Sequence, residues 1–317
     1  MPVPDARRNG AVQLVVTDLD GTLSDADERI HPASAQAIQA LEAGGIPVLV
    51  ATGRRLRMAR AVLEAGGLAG PAVVLDGAIG VDLRDGRVFH QAAFPPEAAR
   101  QVLEAYTAAG LSPCVYVDRR DVDMVVGDHP STHPDHLARA QPWVAVDDLA
   151  RVVETEPVYA LTVVGRPSPV LEPALDAVGL GGSASIVHDL VYGGCTVQVR
   201  PPGISKWSGV LAFCAERAID PGRVLAVGDG ANDVELLEGA AVACAVATAA
   251  PAALARADHV LGPPASGGWA AVLDLVGRPV SGSRPASRPG RARPPSRRWP
   301  AAQRHGRPGP GRPGPRW

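Results

Sequence analysis

Three short apolar runs in this chain each stop at a turn rich in reactive side chains. VQLVV (12–16) runs into Thr17-Asp18-Leu19-Asp20-Gly21-Thr22. Ile46 to Ala51 ends in Thr52-Gly53-Arg54, and RVLAVG (223–228) ends in Asp229-Gly230-Ala231-Asn232-Asp233. Unbroken aliphatic runs of this length suit strands buried on both faces of a parallel sheet. Residues 33–43 read as a helix, with Ile38 and Leu41 on one side and Gly44-Gly45 as its stop. A second helix leads to Gly66-Gly67, and a further run covers 72–75. This strand–helix–strand–helix–strand order predicts a doubly wound, Rossmann-like α/β core, whose ligands bind outside the carboxyl ends of the strands.

After about Val81 the pattern changes. CVYVD, VDMVVG and YALTVVG alternate in character, separated by Pro- and Gly-rich turns, with helical stretches at 97–109 and 170–178. An α+β insert is expected over 84–191, between core segments 11–83 and 192–278. The βα pattern resumes at about Cys195, with a helix at 207–217, another after Asn232 and an apolar run at 241–247. Residues 1–10 read as a tail. Residues 279–317 hold 10 Arg, 10 Pro and no acid, too few apolar groups to repay ordering entropy, so disorder is expected there.

Of the 31 bases, 10 lie in that tail, leaving 21 against 33 acids in residues 1–278. An acidic body argues against nucleic-acid binding through the folded part. The four cysteines are widely spaced, and no secretion signal or membrane-length apolar run is present. A cytoplasmic protein with free thiols and no membrane partner is therefore expected, as a monomer or homodimer.

The pair Asp18 and Asp20 sits just past a buried strand, close enough to share a cation or to divide nucleophile and acid roles. Thr52, Gly53 and the backbone amides of their turn can hold phosphate oxygens. Asp229 and Asp233 bring further acids to the same edge, and clustered carboxylates repel unless a hard cation such as Mg²⁺ joins them. Lys206 is the one Lys in a chain with 30 Arg. A compact ammonium on a flexible stem can reach a phosphoryl oxygen and an Asp together, which a planar guanidinium does less well.

In order, DLDGTL, ATGR, the lysine of GISKW and GDGAND resemble the four motifs of the haloacid dehalogenase superfamily, and the insert resembles the C2B cap of its Cof-type phosphatases. The resemblance covers about residues 11–278. It implies a Mg²⁺-dependent phosphatase acting on a small phosphorylated metabolite, such as a sugar phosphate or a cofactor-precursor phosphate. In that reading Asp18 is the nucleophile and forms an aspartyl-phosphate, and Asp20 is the acid and base. Mg²⁺ is held by Asp18, the Asp20 carbonyl, Asp229 and Asp233. Thr52 and Lys206 bind phosphate, supported by Gly53, Arg54 and Asn232. Two departures from the family pattern stand out: Asp76-Gly77-Ala78 where Asn-Gly-Ala is usual, and Ala247-Thr248-Ala249 where Gly-Asn-Ala is usual.

Rival readings are a phosphomutase on the same core, a non-catalytic protein holding a phosphorylated ligand, and nucleic-acid binding by the Arg-rich tail. Retention of both Asp18 and Asp20 argues against the idle binding protein. Ser183 with His188-Asp189 lacks the nucleophile elbow of a hydrolase triad. His129, His133 and His136 are separated by Pro130 and Pro134, which favours a cap loop over a metal site. Gly179-Leu180-Gly181-Gly182 reads as a flexible connection.

Overall fold

A computed structural model describes residues 11–178, 182–189 and 191–277. The segments 1–10 and 279–317, and most of the Gly179–Gly182 connection, lie outside the described residues. The described chain forms two sheets. In chain order the strands are β1 (Leu14–Thr17), β2 (Val48–Ala51), β3 (Pro71–Val74), β4 (Ile79–Asp82) and β5 (Arg87–Gln91); then β6 (Cys114–Val117), β7 (Met124–Val126), β8 (Val144–Val146), β9 (Val158–Arg166), β10 (Ser183–His188) and β11 (Cys195–Arg200); then β12 (Val224–Gly228), β13 (Val242–Val246) and β14 (His259–Leu261).

The larger sheet runs β14-β13-β12-β1-β2-β3-β4-β5. It is parallel from β14 to β3, with β4 and β5 added antiparallel at one edge. β1 lies between β12 and β2, so the three motif-bearing turns leave the sheet side by side. All four residues of β1, β2 and β3 are buried, as continuous apolar runs require. Packing fixes the floor of the site from below. Trp269 is fully buried, and its indole N–H donates to Thr17 Oγ1 at 2.9 Å, one residue before Asp18.

The smaller sheet runs β10-β11-β9-β6-β7-β8 and carries the helices Pro96–Ala108, Leu149–Thr155 and Ser168–Val178. Its junctions lie further along the chain than the expected 84 and 191. β5, at 87–91, pairs with β4 and so extends the core sheet. β11, at 195–200, pairs antiparallel with β9 and β10, so the stretch where a βα pattern seemed to resume belongs to the insert. The reason is physical. CTVQVR followed by a helix has the local form of a βα unit, and local form does not reveal which strands will flank it. Among the described residues no helix is long and apolar enough to cross a membrane.

Replacing Trp269 with Ala removes a large core side chain and the donor to Thr17. The expected cost is about 3–5 kcal/mol, read as a lowered denaturant midpoint with an unchanged slope.

Candidate active site

The turn after β1 places Asp18, 4% exposed, at the sheet's C-terminal edge, where its backbone N–H donates to the Val227 carbonyl of β12 at 2.9 Å. Lys206 comes from the other side. Ser205 caps the helix Lys206–Arg217 by accepting from the Ser208 N–H, so Lys206 is its first residue. The approach is close. Gly77 has φ 115°, and a Cβ there would stand 2.1 Å from the Ser205 carbonyl oxygen, so only Gly fits this position. The Lys206 ammonium is 1% exposed and donates to Asp18 Oδ1 at 2.6 Å and Asp233 Oδ1 at 2.7 Å.

The expected residues gather here in distinct ways. Asp18, Asp229 and Asp233 each present a carboxylate oxygen within 4.8 Å of the others. Asp233 Oδ2 also accepts from the backbone N–H groups of Asp229 and Gly230, which fixes the turn. Thr22 donates to Asp229 Oδ1 at 3.1 Å. Thr52 is buried and accepts the Arg54 N–H at 3.1 Å. The Asp20 side chain turns to Arg54, whose Nε donates to its two oxygens at 3.0 and 2.8 Å. Asn232 and Gly53 both face Asp76: Asn232 donates to Asp76 Oδ1 at 3.1 Å, and a Cβ on Gly53 would lie 3.2 Å from that same oxygen. His136 is buried against Thr132 and Tyr116, while His133 caps the helix Pro134–Ala140, so these two histidines serve the insert's own structure.

Asp76 is the site residue whose weight the sequence understated. Leu75 and Asp76 both take left-handed φ, 51° and 49°, a strained backbone of the kind that clusters at functional sites. Asp76 Oδ2 accepts from Ser185 at 3.4 Å, Gln198 at 3.1 Å and Arg200 at 3.0 Å, all on the insert strands β10 and β11. Its Oδ1 lies 3.9 Å from the Lys206 ammonium. An acid where the family pattern has Asn demands a counter-charge, and Arg200 supplies it. Glu28 and Arg139 were also missed. Glu28 Oε1 pairs with Arg54 at 2.7 Å, and its Oε2 accepts from Arg139 of the insert at 2.6 Å. The signal lay in the Asp-Ala-Asp-Glu-Arg run after the first motif, which looks like an ordinary solvated loop.

Electrostatics separate these acids. Burial raises the Asp18 pKa well above the ordinary carboxylate range; Lys206 opposes this and Asp233, Asp229 and Asp20 reinforce it. Burial, then Asp233, pushes Asp229 up to about 6. Burial also acts to raise Asp76, but Arg200 and Lys206 outweigh it and hold its carboxyl below the usual value. The same holds for Glu28, where Arg54 and Arg139 prevail over burial. Burial disfavours the Lys206 ammonium, yet Asp18, Asp233 and Asp76 overcome it and keep it charged. Three close carboxylates, two of them with raised pKa, are short of positive charge. That donor set, all hard oxygens, fits a cation such as Mg²⁺. A cavity of about 490 Å³ opens from Asp18, Asp20 and Asp229 toward Tyr116, His136 and Tyr192 of the insert.

A family model for haloacid dehalogenase-like hydrolases matches residues 15–159 and 186–273, and the chain belongs to that family, in its Cof-type group. Its activity is that of a phosphatase. Over 248 residues it is 29% identical to a phosphoglycolate phosphatase of Methanopyrus kandleri, covering 78% of this chain and 90% of that one. A haloalkanoate-superfamily phosphatase of Bacteroides thetaiotaomicron superposes with a TM-score of 0.71 at 22% identity, covering 87% of this chain and 98% of that one. A subclass IIB sugar phosphatase superposes with a TM-score of 0.66 at 20% identity, covering 84% and 99%.

Two outcomes follow. Lys206→Arg must fit a larger, planar cation between Asp18 and Asp233, and phosphatase turnover should fall about a hundredfold with the circular dichroism spectrum unchanged. Lys206→Ala leaves buried acids unpaired and should also lower stability, by about 3–5 kcal/mol. Separately, a carboxyl whose folded pKa is raised contributes stability below its unfolded pKa and loses it as pH rises through the folded value. In buffer free of divalent cations, Asp229→Asn should therefore be more stable than wild type at pH 7.5, by about 1–3 kcal/mol. The gap should close below about pH 4, as read by chemical denaturation.

Proposed function

We propose that this enzyme is a Mg²⁺-dependent phosphatase that hydrolyses a small phosphorylated metabolite through an aspartyl-phosphate on Asp18. The observation that carries the reading is the Lys206 ammonium held between Asp18 and Asp233, with Asp18 itself lining an open cavity shared by core and insert. Asp18, Asp229 and Asp233, with the Asp20 carbonyl, would hold the Mg²⁺. When bound, it shields the phosphate dianion from the anionic nucleophile.

In the first step an Asp18 oxygen bonds to phosphorus and the ester oxygen leaves, taking a proton from the Asp20 carboxyl. In the second, the Asp20 carboxylate takes a proton from water, whose oxygen attacks phosphorus, releasing inorganic phosphate and Asp18. Lys206 and Thr52 bind the phosphoryl oxygens, where charge gathers in the transition state. Arg54 orients Asp20 by gripping both of its oxygens. The relative in Methanopyrus kandleri is a phosphoglycolate phosphatase and the subclass IIB neighbour a sugar phosphatase; what the two share, action on a small phosphate monoester, supports the reading for this chain.

Screening a panel of phosphate monoesters with Mg²⁺ tests the reading. Phosphate release should stop on adding EDTA and return with excess Mg²⁺. Asp18→Asn should lose at least about a thousandfold in turnover and all acid-trappable phosphoenzyme. Full activity in metal-free buffer, or near-normal turnover by Asp18→Asn, defeats this mechanism.

A further inference from the structure

With the phosphate at the acid cluster, the rest of a substrate must occupy the insert end of the cavity. Three guanidiniums line that end, and each is already paired. Arg55 donates to Asp123 at 2.5 Å. Arg54 is bound to Asp20 and Glu28, and Arg139 is bound to the same Glu28. One carboxylate thus holds two cations, one from the core and one from the insert.

Glu28 is placed for this by its loop. Its φ is 61°, a left-handed backbone that a non-glycine residue adopts at a cost. The turn keeps it there: the Glu28 N–H donates to the Asp25 carbonyl, while Asp25 Oδ1 accepts from the N–H groups of Asp27 and Arg29.

Among the remaining polar groups at this end there is no further Arg and no Lys. His136 is held neutral down to about pH 4 by burial and then by Arg55. Asp189 adds a carboxylate whose partners are neutral donors, the Val191 and Tyr192 N–H groups and the Thr196 hydroxyl. His188 is exposed. Met58, Val164 and Ile186 complete an apolar and aromatic wall. A second anion on the leaving group would meet Glu28 and Asp189 with each guanidinium already engaged, and like charges so juxtaposed are rejected.

We infer that Glu28 is a specificity-determining residue: by occupying both Arg54 and Arg139, it restricts the cavity to phosphate esters with an uncharged or cationic leaving group and excludes those carrying a carboxylate. The inference rests on the phosphatase reading above and names the substrate class for that site.

A charge series of matched size tests it: 2-phosphoglycolate, 2-hydroxyethyl phosphate and O-phosphoethanolamine, each as a competitor of p-nitrophenyl phosphate hydrolysis with Mg²⁺ present. The inhibition constant of 2-phosphoglycolate should be at least about tenfold weaker than those of the other two. In Glu28→Gln, and in Glu28→Ala as a second variant, the gap should shrink to under about threefold through tighter 2-phosphoglycolate binding. Such a variant releases Arg139 for a carboxylate, while Arg54 keeps its bonds to Asp20. Equal constants in the wild type, no inhibition by any of the three, or 2-phosphoglycolate as the strongest competitor overturns the inference, and so does an unchanged gap in folded variants. The wild-type comparison stands even if both variants fail to fold. Absence of p-nitrophenyl phosphate hydrolysis would instead count against the phosphatase reading, and calorimetric titration of the same three esters would still decide the charge preference.

Discussion

Asp18, Asp76, Asp229 and Asp233 crowd four carboxylates into a region largely closed to water, and the Lys206 ammonium is what lets three of them sit there. It bonds Asp18 and Asp233 directly and stands 3.9 Å from Asp76. Removing one partner of such a group leaves an uncompensated buried charge, so the elements that deliver Lys206 are constrained in turn. The Ser205–Ser208 cap sets where the helix starts, and Gly77 lets the turn after β3 reach it. At Gly209 a Cβ would stand 2.5 Å from Val73 Cγ1, so the helix packs directly on the sheet. The helix N-terminus adds its own positive field to that of the ammonium. Much of the core's geometry serves to hold one flexible side chain still.

The legible part of this arrangement was the part written locally. Apolar runs gave the strands of the parallel sheet, and turn chemistry at their ends gave Asp18, Thr52, Asp229 and Asp233. The isolation of Lys206 among arginines singled it out before any contact was known. What escaped was long-range pairing. Asp76 appeared as a departure from a family pattern; its meaning lay 124 residues away in Arg200. Glu28 and Arg139 are 111 residues apart and join only when the insert folds over the core. β11 looked like a core strand because strand partners are chosen by tertiary packing, which periodicity does not encode. The misplaced junctions and the missed residues therefore share one cause.

The two sides of the cavity are joined by unlike bonds. On the β10–β11 side, the buried Asp76 takes three hydrogen bonds from the insert, and its pair with Arg200 is shut off from solvent. On the other side, Arg139 meets Glu28 in an ion pair open to water, with side chains 36% and 24% exposed. Exposed pairs of this kind contribute little and exchange readily, whereas breaking the buried one strands a charge. The joint is thus a door with a fixed jamb and a loose latch. Stress that parts the insert from the core therefore falls first on the Glu28–Arg139 contact, before the strands that carry Ser185, Gln198 and Arg200.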